Sequence, residues 1–201
     1  GANITAIEID DAPVLHLDEA FREEQKTRQL ILHHDDALNA AWPSNISKVV
    51  ANIPYQISSP LIEKLTRHIK EHEGVLQQVV LMVQHEFGQR LSMNHPADVG
   101  SLGMTVALDW DVNEHHMVPP HHFSPQPAVQ SQVIELRPHN KAFSVDKRLV
   151  RQTIHLAFEQ RRKKIRSTLK RAPKRISRIK GWHAQRWKDA MQTLQELEIM
   201  D

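Results

Sequence analysis

Cysteine is absent from the 201 residues, which excludes a disulfide framework and thiolate chemistry. The sequence also lacks any apolar run of the ~18–20 residues that a bilayer-spanning helix needs, and its first residues do not form a signal-peptide pattern. We therefore expect a cytoplasmic protein that does not enter a membrane. The composition, with 40% hydrophobic and 25% charged residues, is sufficient for one medium domain and a smaller second one.

Charge is distributed unevenly along the chain, although the net charge is only +2. Residues 1–146 carry 10 Lys and Arg against 19 Asp and Glu, a net of −9. Residues 147–188 carry 16 basic residues against one acid, a net of +15, and residues 189–201 carry four acids and no base. A block this polarised is typical of a polyanion-binding surface. The alternative is a solvated helical face.

Short apolar runs alternate with helical patterns over the first 137 residues, which predicts a mostly parallel α/β sheet. The strands are expected at 4–9, 30–32, 48–51, 75–83, 112–118 and 132–136. The helices are expected at 13–25, from an N-cap at Ser59, at 85–91 and at 101–110. The last two strands have no helix between them, so we expect an antiparallel hairpin at one edge of the sheet.

The composition changes after Pro138, and the remainder has helical patterns at 146–158, 160–172 and 183–199. We therefore predict two domains, an α/β domain over 1–140 and a small, basic, all-helical domain over 141–201. Trp182 and Trp187 lie near the start of the last expected helix. We expect them to pack in the core of the helical domain or to dock this helix against its neighbours, with stacking on RNA bases as the alternative.

The segment Asn52-Ile53-Pro54-Tyr55 is an unusual end for an apolar strand. Pro54 fixes its own φ and biases Ile53 towards an extended conformation, so the carbonyls here are held rigidly. The Asn52 amide oxygen and a nearby carbonyl then form two fixed acceptors beside the flat ring of Tyr55. This arrangement suits a planar base with an exocyclic amine. A plain strand-to-helix turn with a buried tyrosine is the alternative.

Acidic residues end two other expected strands, Glu8 with Asp10 and the pair Asp35-Asp36. Ligands of open α/β sheets bind beyond the carboxyl ends of the strands, where an acid commonly accepts hydrogen bonds from ribose hydroxyls. Glu8 is placed for that role, and Asp36 for accepting from an adenine amine. Either acid could instead cap the following helix. Three polar strand ends together favour a nucleoside-containing cofactor.

The stretch "NIPYQISSPL" resembles the motif of the ribosomal RNA adenine dimethyltransferases, S-adenosylmethionine-dependent enzymes of small-subunit ribosome biogenesis. Other matching stretches follow in the family's order, namely "ITAIEID", "HDDAL", "VVLMVQHEFGQRL", "VPPHHFSPQPAVQSQVIEL" and "HLAFEQRRKKIRSTLK". The resemblance covers nearly the whole chain. The stretches "YQISSPL" and "LMVQHEFGQRL" are more similar to the archaeal and eukaryotic branch of the family than to the bacterial one. It implies a Rossmann-like class I methyltransferase sheet with a C-terminal helical domain.

The resemblance also implies roles for individual residues. Asn52 and the Pro54 carbonyl would hold the target amine, Tyr55 would stack on the flipped adenine, and Phe123 would cover its other face. The residues implied to bind S-adenosylmethionine are Glu8, Ile9, Asp36, Ala37 and Asn52. The implied reaction is methylation of the N6 amines of two adjacent adenines near the end of small-subunit rRNA, by a monomer without a metal.

RNA is expected to bind to consecutive basic residues of the second expected C-terminal helix, which are Arg161, Arg162, Lys163, Lys164, Arg166 and Lys170. They are too close in sequence to share one helical face. We expect Ile165 and Leu169 to anchor this helix to its neighbours, so that much of its basic side faces phosphates.

The sequence departs from the family at two places. The family's glycine-rich cofactor loop is missing, and the chain begins where the family's second strand would start. We therefore expect an N-terminally truncated fragment without the central strand, which alone would not bind S-adenosylmethionine tightly; the alternative is a sheet that has closed over the gap. The second departure is "DVGSLG", where Val99 and Ser101 replace an aromatic residue and an arginine.

The 14 histidines include adjacent pairs at 33–34, 115–116 and 121–122. Neighbouring residues of a strand point to opposite faces, so this spacing does not favour a metal site. Two other functions compete with small-subunit dimethylation. One is methylation of a single large-subunit adenine, as in macrolide resistance. The other is a non-catalytic ribosome-assembly or transcription factor with the same fold.

Overall fold

The computed structural model describes residues 1–139, 143–197 and 199. The chain divides into two compact units, one formed by 1–48 with 53–77 and the other by 49–52 with 78–201. No helix in the described ranges is long and apolar enough to cross a membrane. The predicted domain boundary at 140 lies outside the described residues.

The first unit contains two parallel strands, β1 (Ile4–Glu8) and β2 (Leu30–His34), which are joined by the short helices α1 (Asp11–Ala20) and α2 (Arg22–Lys26). One helix was expected over 13–25, but the backbone leaves helical geometry at Phe21, where φ is −118° and ψ is 34°.

The longest helix of the first unit is α3 (Ser58–Glu71), which follows a 3₁₀ turn over Tyr55–Ile57. Leu61, Leu65 and His68 are buried at helical spacing on one of its faces. The predicted N-cap, Ser59, is wrong, because the helix already begins at Ser58. The Ser58 hydroxyl donates to the Tyr55 carbonyl at 2.9 Å instead of accepting from the helix.

A four-stranded sheet organises the second unit, in the order β3 (Lys48–Asn52), β4 (Gln78–Gln84), β6 (Ser131–Pro138) and β5 (Trp110–Val118). Strand β6 is antiparallel to both β4 and β5, so the predicted hairpin is confirmed and β5 forms the edge. The described strands thus form two separate sheets, the pair β1–β2 and this one.

Two helices connect the strands of the second unit, α4 (His85–Ser92) and α5 (Ser101–Val106). The helix expected over 101–110 is too long, because α5 ends at Val106 and Trp110 begins β5. Trp110 is only 1% exposed, and its burial in the sheet outweighs the local helical pattern.

The C-terminal helices α6 (Lys147–Phe158), α7 (Ile165–Thr168) and α8 (Ala184–Glu196) have their own hydrophobic cluster. Its buried members are Leu149, Leu169, Ile176, Ile179 and Trp187. The Trp187 indole N–H donates to the Leu169 carbonyl at 2.8 Å. The core role predicted for Trp187 is therefore confirmed.

The helix predicted over 160–172 is wrong, since only the four residues of α7 are helical there. Arg162, Arg166 and Lys170 are each four residues apart, so a continuous helix would place these like charges next to one another on its surface. Ile165 is 54% exposed and does not anchor the segment, whereas Leu169 is 6% exposed and does.

Candidate functional site

Glu8 and the turn after β2 lie side by side at one edge of the first sheet. Glu8 is the last residue of β1 and pairs with His34, the last residue of β2. The Asp35 N–H donates to the Glu8 carbonyl at 3.0 Å. Because the two strands are parallel, their carboxyl ends share this edge, as the sequence predicted.

The Glu8 carboxylate is held through one of its two oxygens. Its Oε1 accepts from the backbone N–H groups of Ile9 at 2.8 Å and Asp10 at 3.0 Å. No hydrogen bond to Oε2 is formed within the described ranges, so this oxygen is available as an acceptor. One fixed and one available oxygen fit the acceptor that a ribose hydroxyl requires.

Asp36 builds the turn in which it lies. Its Oδ1 accepts from the Leu38 N–H at 2.8 Å, and its Oδ2 accepts from the Asn39 side-chain amide at 2.7 Å. A carboxylate has about four lone-pair positions, so each oxygen can accept one more hydrogen bond. Asp36 can therefore fix the turn and still accept from a ligand amine.

Lys64 holds this turn from helix α3, a role that sequence reasoning missed. Its ammonium group donates to the carbonyls of Ala37 at 2.8 Å, Leu38 at 3.0 Å and Ala40 at 2.6 Å. Burial lowers the pKa of Lys64, while the carboxylates of the Asp35-Asp36 pair oppose this effect. The sequence signal was a lysine between Leu61 and His68, next to the apolar face of an amphipathic helix.

Trp42 completes the support of the same turn. Its indole N–H donates to the Ala37 carbonyl at 3.1 Å, and its ring centre lies 4.7 Å from the Lys64 ammonium nitrogen. Of the residues predicted to bind the cofactor, Glu8, Ile9, Asp36 and Ala37 thus belong to one well-supported edge of the first unit.

The Asn-Ile-Pro-Tyr segment forms a rigid turn after β3. Asn52 is the last residue of the strand and is exposed. Pro54 has φ −55° and ψ 132°, and its carbonyl accepts from the Ile57 N–H at 3.1 Å. This hydrogen bond fixes the direction of the carbonyl, whose second lone pair can still accept. Tyr55 is half-buried at the start of the 3₁₀ turn.

Phe123 lies in the loop over 119–130 that connects β5 to β6. It is half-buried, and its N–H donates to the Pro120 carbonyl at 3.0 Å. Asn52 and Phe123 belong to the second unit, whereas Pro54 and Tyr55 belong to the first. That these four residues form one site remains a prediction.

The basic surface is larger than the sequence motif indicated. All six predicted RNA-binding residues are exposed, and Leu169 anchors the segment from below. Further exposed cations follow in the chain, namely Arg171, Lys174, Arg175, Arg178, Lys180, Arg186 and Lys188. No acidic residue occurs between 160 and 188, so no carboxylate within this segment offsets its positive charge. The uneven charge distribution was the signal that could have found these additional residues.

Arg161 differs from the other basic residues of this segment. Its guanidinium group donates to the Val99 carbonyl and lies 5.7 Å from the ring centre of Phe158. It therefore ties the basic segment to residues that precede α5. Among the residues described, no three His, Asp or Glu side chains are placed together to hold a metal ion.

The fold is that of the Rossmann-like class I methyltransferases. A solved dimethyladenosine transferase from Plasmodium falciparum matches 98% of this chain and 74% of its own, with a TM-score of 0.78 and 23% identity. The solved 23S rRNA methyltransferase ErmE matches 99% of this chain and 82% of its own, with a TM-score of 0.65 and 21% identity.

The chain belongs to the ribosomal RNA adenine dimethylase family, whose family model matches residues 2–185. A probable ribosomal RNA small subunit methyltransferase A of Methanospirillum hungatei is 32% identical over 85% of this chain and 64% of its own length. The ribosomal RNA small subunit methyltransferase A of Gloeobacter violaceus is 33% identical over 83% of this chain and 61% of its own length. The chain thus spans less than two thirds of these relatives. An archaeon and a bacterium match about equally well, so the predicted branch stays a prediction.

Proposed function

We propose that this chain provides the target-base and RNA-binding parts of an enzyme that methylates the N6 amines of two adjacent adenines in small-subunit rRNA. S-adenosylmethionine, when bound, supplies the electrophilic methyl group. The observation that carries the proposal is the rigid turn after β3, where Asn52 is exposed and the Pro54 carbonyl is held by the Ile57 N–H at 3.1 Å. The names of the curated relatives support small-subunit rRNA as the substrate.

The chemistry requires positioning more than acid–base catalysis. The adenine must leave its stack before its amine can be reached. The amine is a poor nucleophile, because its lone pair is delocalised into the ring. The Asn52 and Pro54 oxygens accept its two N–H groups and hold the nitrogen so that its lone pair is directed at the methyl group. The nitrogen becomes acidic once it is methylated, so the chain needs neither a strong base nor a metal.

Cofactor binding is proposed for the edge formed by Glu8 and the Asp36 turn. The available Oε2 of Glu8 suits a ribose hydroxyl, and the remaining lone pairs of Asp36 suit the amine of the cofactor adenine. The Ala37 carbonyl already accepts from both Lys64 and Trp42, so we assign the ligand amine to the Asp36 carboxylate.

A methylation assay separates this function from its competitors. The full-length protein should methylate small-subunit RNA and leave large-subunit RNA unmodified. Modification of the large-subunit RNA alone would favour the macrolide-resistance type of reaction. The chain shares its fold with a 23S rRNA methyltransferase, which makes this the competing reaction to test. Binding of small-subunit RNA without methylation would favour a non-catalytic assembly factor.

Tyr55 is expected to act through its ring. In the full-length protein Tyr55→Phe should retain most of kcat, because it preserves the stacking face. Tyr55→Ala should lose most of it, since stacking of a base on an aromatic side chain contributes roughly 1–3 kcal/mol. Steady-state kinetics on small-subunit RNA measures both variants. A Phe variant as inactive as the Ala variant would assign the role to the hydroxyl group.

The basic surface is expected to bind RNA through phosphates. Arg162, Lys163 and Lys170 are exposed, and their side chains make no ion pair in the described part of the chain. Replacing all three with alanine should weaken binding of small-subunit RNA. The slope of log affinity against log salt should fall by roughly 0.7–0.9 for each phosphate that the variant no longer binds. Binding titrations over a salt series measure this slope.

A matched variant controls for net charge alone. Lys26, Lys48 and Arg67 are exposed residues outside the basic segment. Their replacement with alanine removes the same charge but should leave the salt slope close to that of the parent. Equal effects of the two triple variants would show that the segment is only a solvated face.

A further inference from the structure

A polar network around the buried side chain of Gln132 connects helix α4 with strands β5 and β6, and its other members are half-buried. The Gln132 amide is 2% exposed and donates through Nε2 to Glu114 Oε2 at 3.0 Å. Its Oε1 lies 2.8 Å from Nδ1 of His85. The Ser92 hydroxyl donates to the other oxygen of Glu114. All of these residues belong to the second unit, so the network lies within one compact body.

The Glu114 carboxylate determines the direction of every hydrogen bond in this network. An ionised carboxylate can only accept, so Gln132 must present its NH₂ group to Glu114. The Gln132 oxygen then faces His85, whose Nδ1 must carry the proton in order to donate. The charge at position 114 therefore selects one amide orientation and one histidine tautomer.

The charged state of Glu114 is favoured by its neighbours. Burial alone would raise the pKa of Glu114, but the hydrogen bonds from Ser92 and Gln132 lower it, and so do His85 and His95. The net pKa lies below the ordinary value for glutamate. The carboxylate is consequently ionised, and acceptor-only, at neutral pH.

Two backbone features make room for the network. Strand β5 has an extra residue between Glu114 and Met117, since these pair with Ile134 and Gln132, respectively. This bulge puts Glu114 and Met117 on the same face as Gln132, although their spacing would otherwise place them on opposite faces. In α4, a Cβ on Gly88 would lie 2.9 Å from the Gln132 oxygen, so a larger side chain would push on the amide.

The network ends at the loop that carries Phe123. The His85 N–H donates to the Gln130 carbonyl at 2.9 Å, and Gln130 is the last residue of that loop. The ladder between β5 and β6 closes at the pair Val118–Ser131, directly outside the loop. His85 therefore holds the end of the loop with its backbone and binds Gln132 with its ring.

We propose that Glu114, Gln132 and His85 are positioning residues that fix the Phe123 loop for the methyl-transfer reaction. The proposal rests on the proposed function, because only there does Phe123 cover the target base. The acceptor-only carboxylate orients the amide, the amide orients the imidazole, and helix α4 then holds the loop at Gln130.

The test is Glu114→Gln in the full-length protein, a change that preserves the shape of the side chain. An amide at position 114 can offer either a donor or an acceptor, so the Gln132 amide is no longer held in one orientation. Nitrogen NMR should show His85 as the Nδ1–H tautomer in the parent and as a mixture in the variant. Exchange of the His85 amide proton should accelerate, and kcat should fall by about 10-fold at an unchanged KM for the cofactor.

Glu135→Gln is the matched control. Glu135 is a second carboxylate of this sheet that accepts from a glutamine, Gln78, but it lies on the opposite face of β6 from Gln132. Its other partners are Arg137 and His115, which lie outside the loop. The Glu135→Gln variant should leave the His85 tautomer and kcat unchanged. Equal losses of kcat in the two variants would overturn the proposal, because they would reflect general destabilisation.

A charge exchange provides the rescue. The double variant Glu114→Gln with Gln132→Glu places the carboxylate next to His85, where it again accepts only. The Nδ1–H tautomer, the slow amide exchange and most of kcat should return. Failure of the tautomer to change in Glu114→Gln, or to return in the double variant, would overturn the proposal. These NMR results do not depend on catalysis, so an inactive parent protein would contradict the proposed function and not the network.

Discussion

The Asn52→Ala variant of the full-length protein is expected to lose about 10²-fold or more in kcat, because it removes an acceptor that positions the reacting amine. Cofactor affinity and RNA affinity should change far less. Asn52 is exposed at the end of β3, so its removal leaves no buried cavity and should hardly affect stability. Single-turnover kinetics together with equilibrium binding separates these effects.

Asn113→Ala is the control for this prediction. Asn113 also lies on a strand of the second unit, but it is placed within β5 and not at a strand end. Its replacement should leave kcat close to that of the parent. If Asn52→Ala weakened binding and turnover equally, the amide would serve to bind the substrate rather than to position its amine.

The strands and the polar residues at their ends could be predicted from local sequence. Short apolar runs rich in β-branched residues favour strands over helices, and a polar residue that stops such a run marks the end. Glu8 and Asn52 are indeed the last residues of β1 and β3. Their location required only neighbours in sequence, which is why it was accessible without the structure.

The supporting residues could not be predicted, because their partners are distant in sequence. Lys64 binds carbonyls that are 24 to 27 residues away, and His85 binds an amide that is 47 residues away. The bulge in β5 leaves no mark in the strand pattern, since it depends on the register with β6. The prediction of a helix over 160–172 was wrong for a different reason, because the apolar periodicity takes no account of repulsion between cations four residues apart, such as Arg162 and Arg166.

The largest loss of stability is expected for Trp187→Ala. Trp187 is 2% exposed in the centre of the C-terminal cluster, and its indole N–H satisfies the Leu169 carbonyl. Truncation of a buried tryptophan typically costs about 3–5 kcal/mol, because it removes apolar packing and leaves a cavity. The cluster holds residues 169–179, which carry part of the basic surface. Hydrogen exchange should therefore show faster opening of α6 and α8, and RNA binding should weaken as the helices open.

Trp182→Ala tests whether the loss of stability depends on how deeply the tryptophan is buried. Trp182 lies 6.4 Å from Trp187, centre to centre, but it is only partly buried at the border of the cluster. Its outer neighbour is Arg186, whose guanidinium carbon lies 4.9 Å from the ring centre. Because less apolar surface is removed from the core, we expect a cost of about 1–2 kcal/mol and little change in exchange within α6. Urea unfolding followed by hydrogen exchange ranks the two variants. If Trp182→Ala cost as much as Trp187→Ala, the difference in burial would not determine the cost. If Trp182→Ala weakened RNA binding without destabilising the helices, then Trp182 would contact the RNA bases, the alternative that the sequence left open.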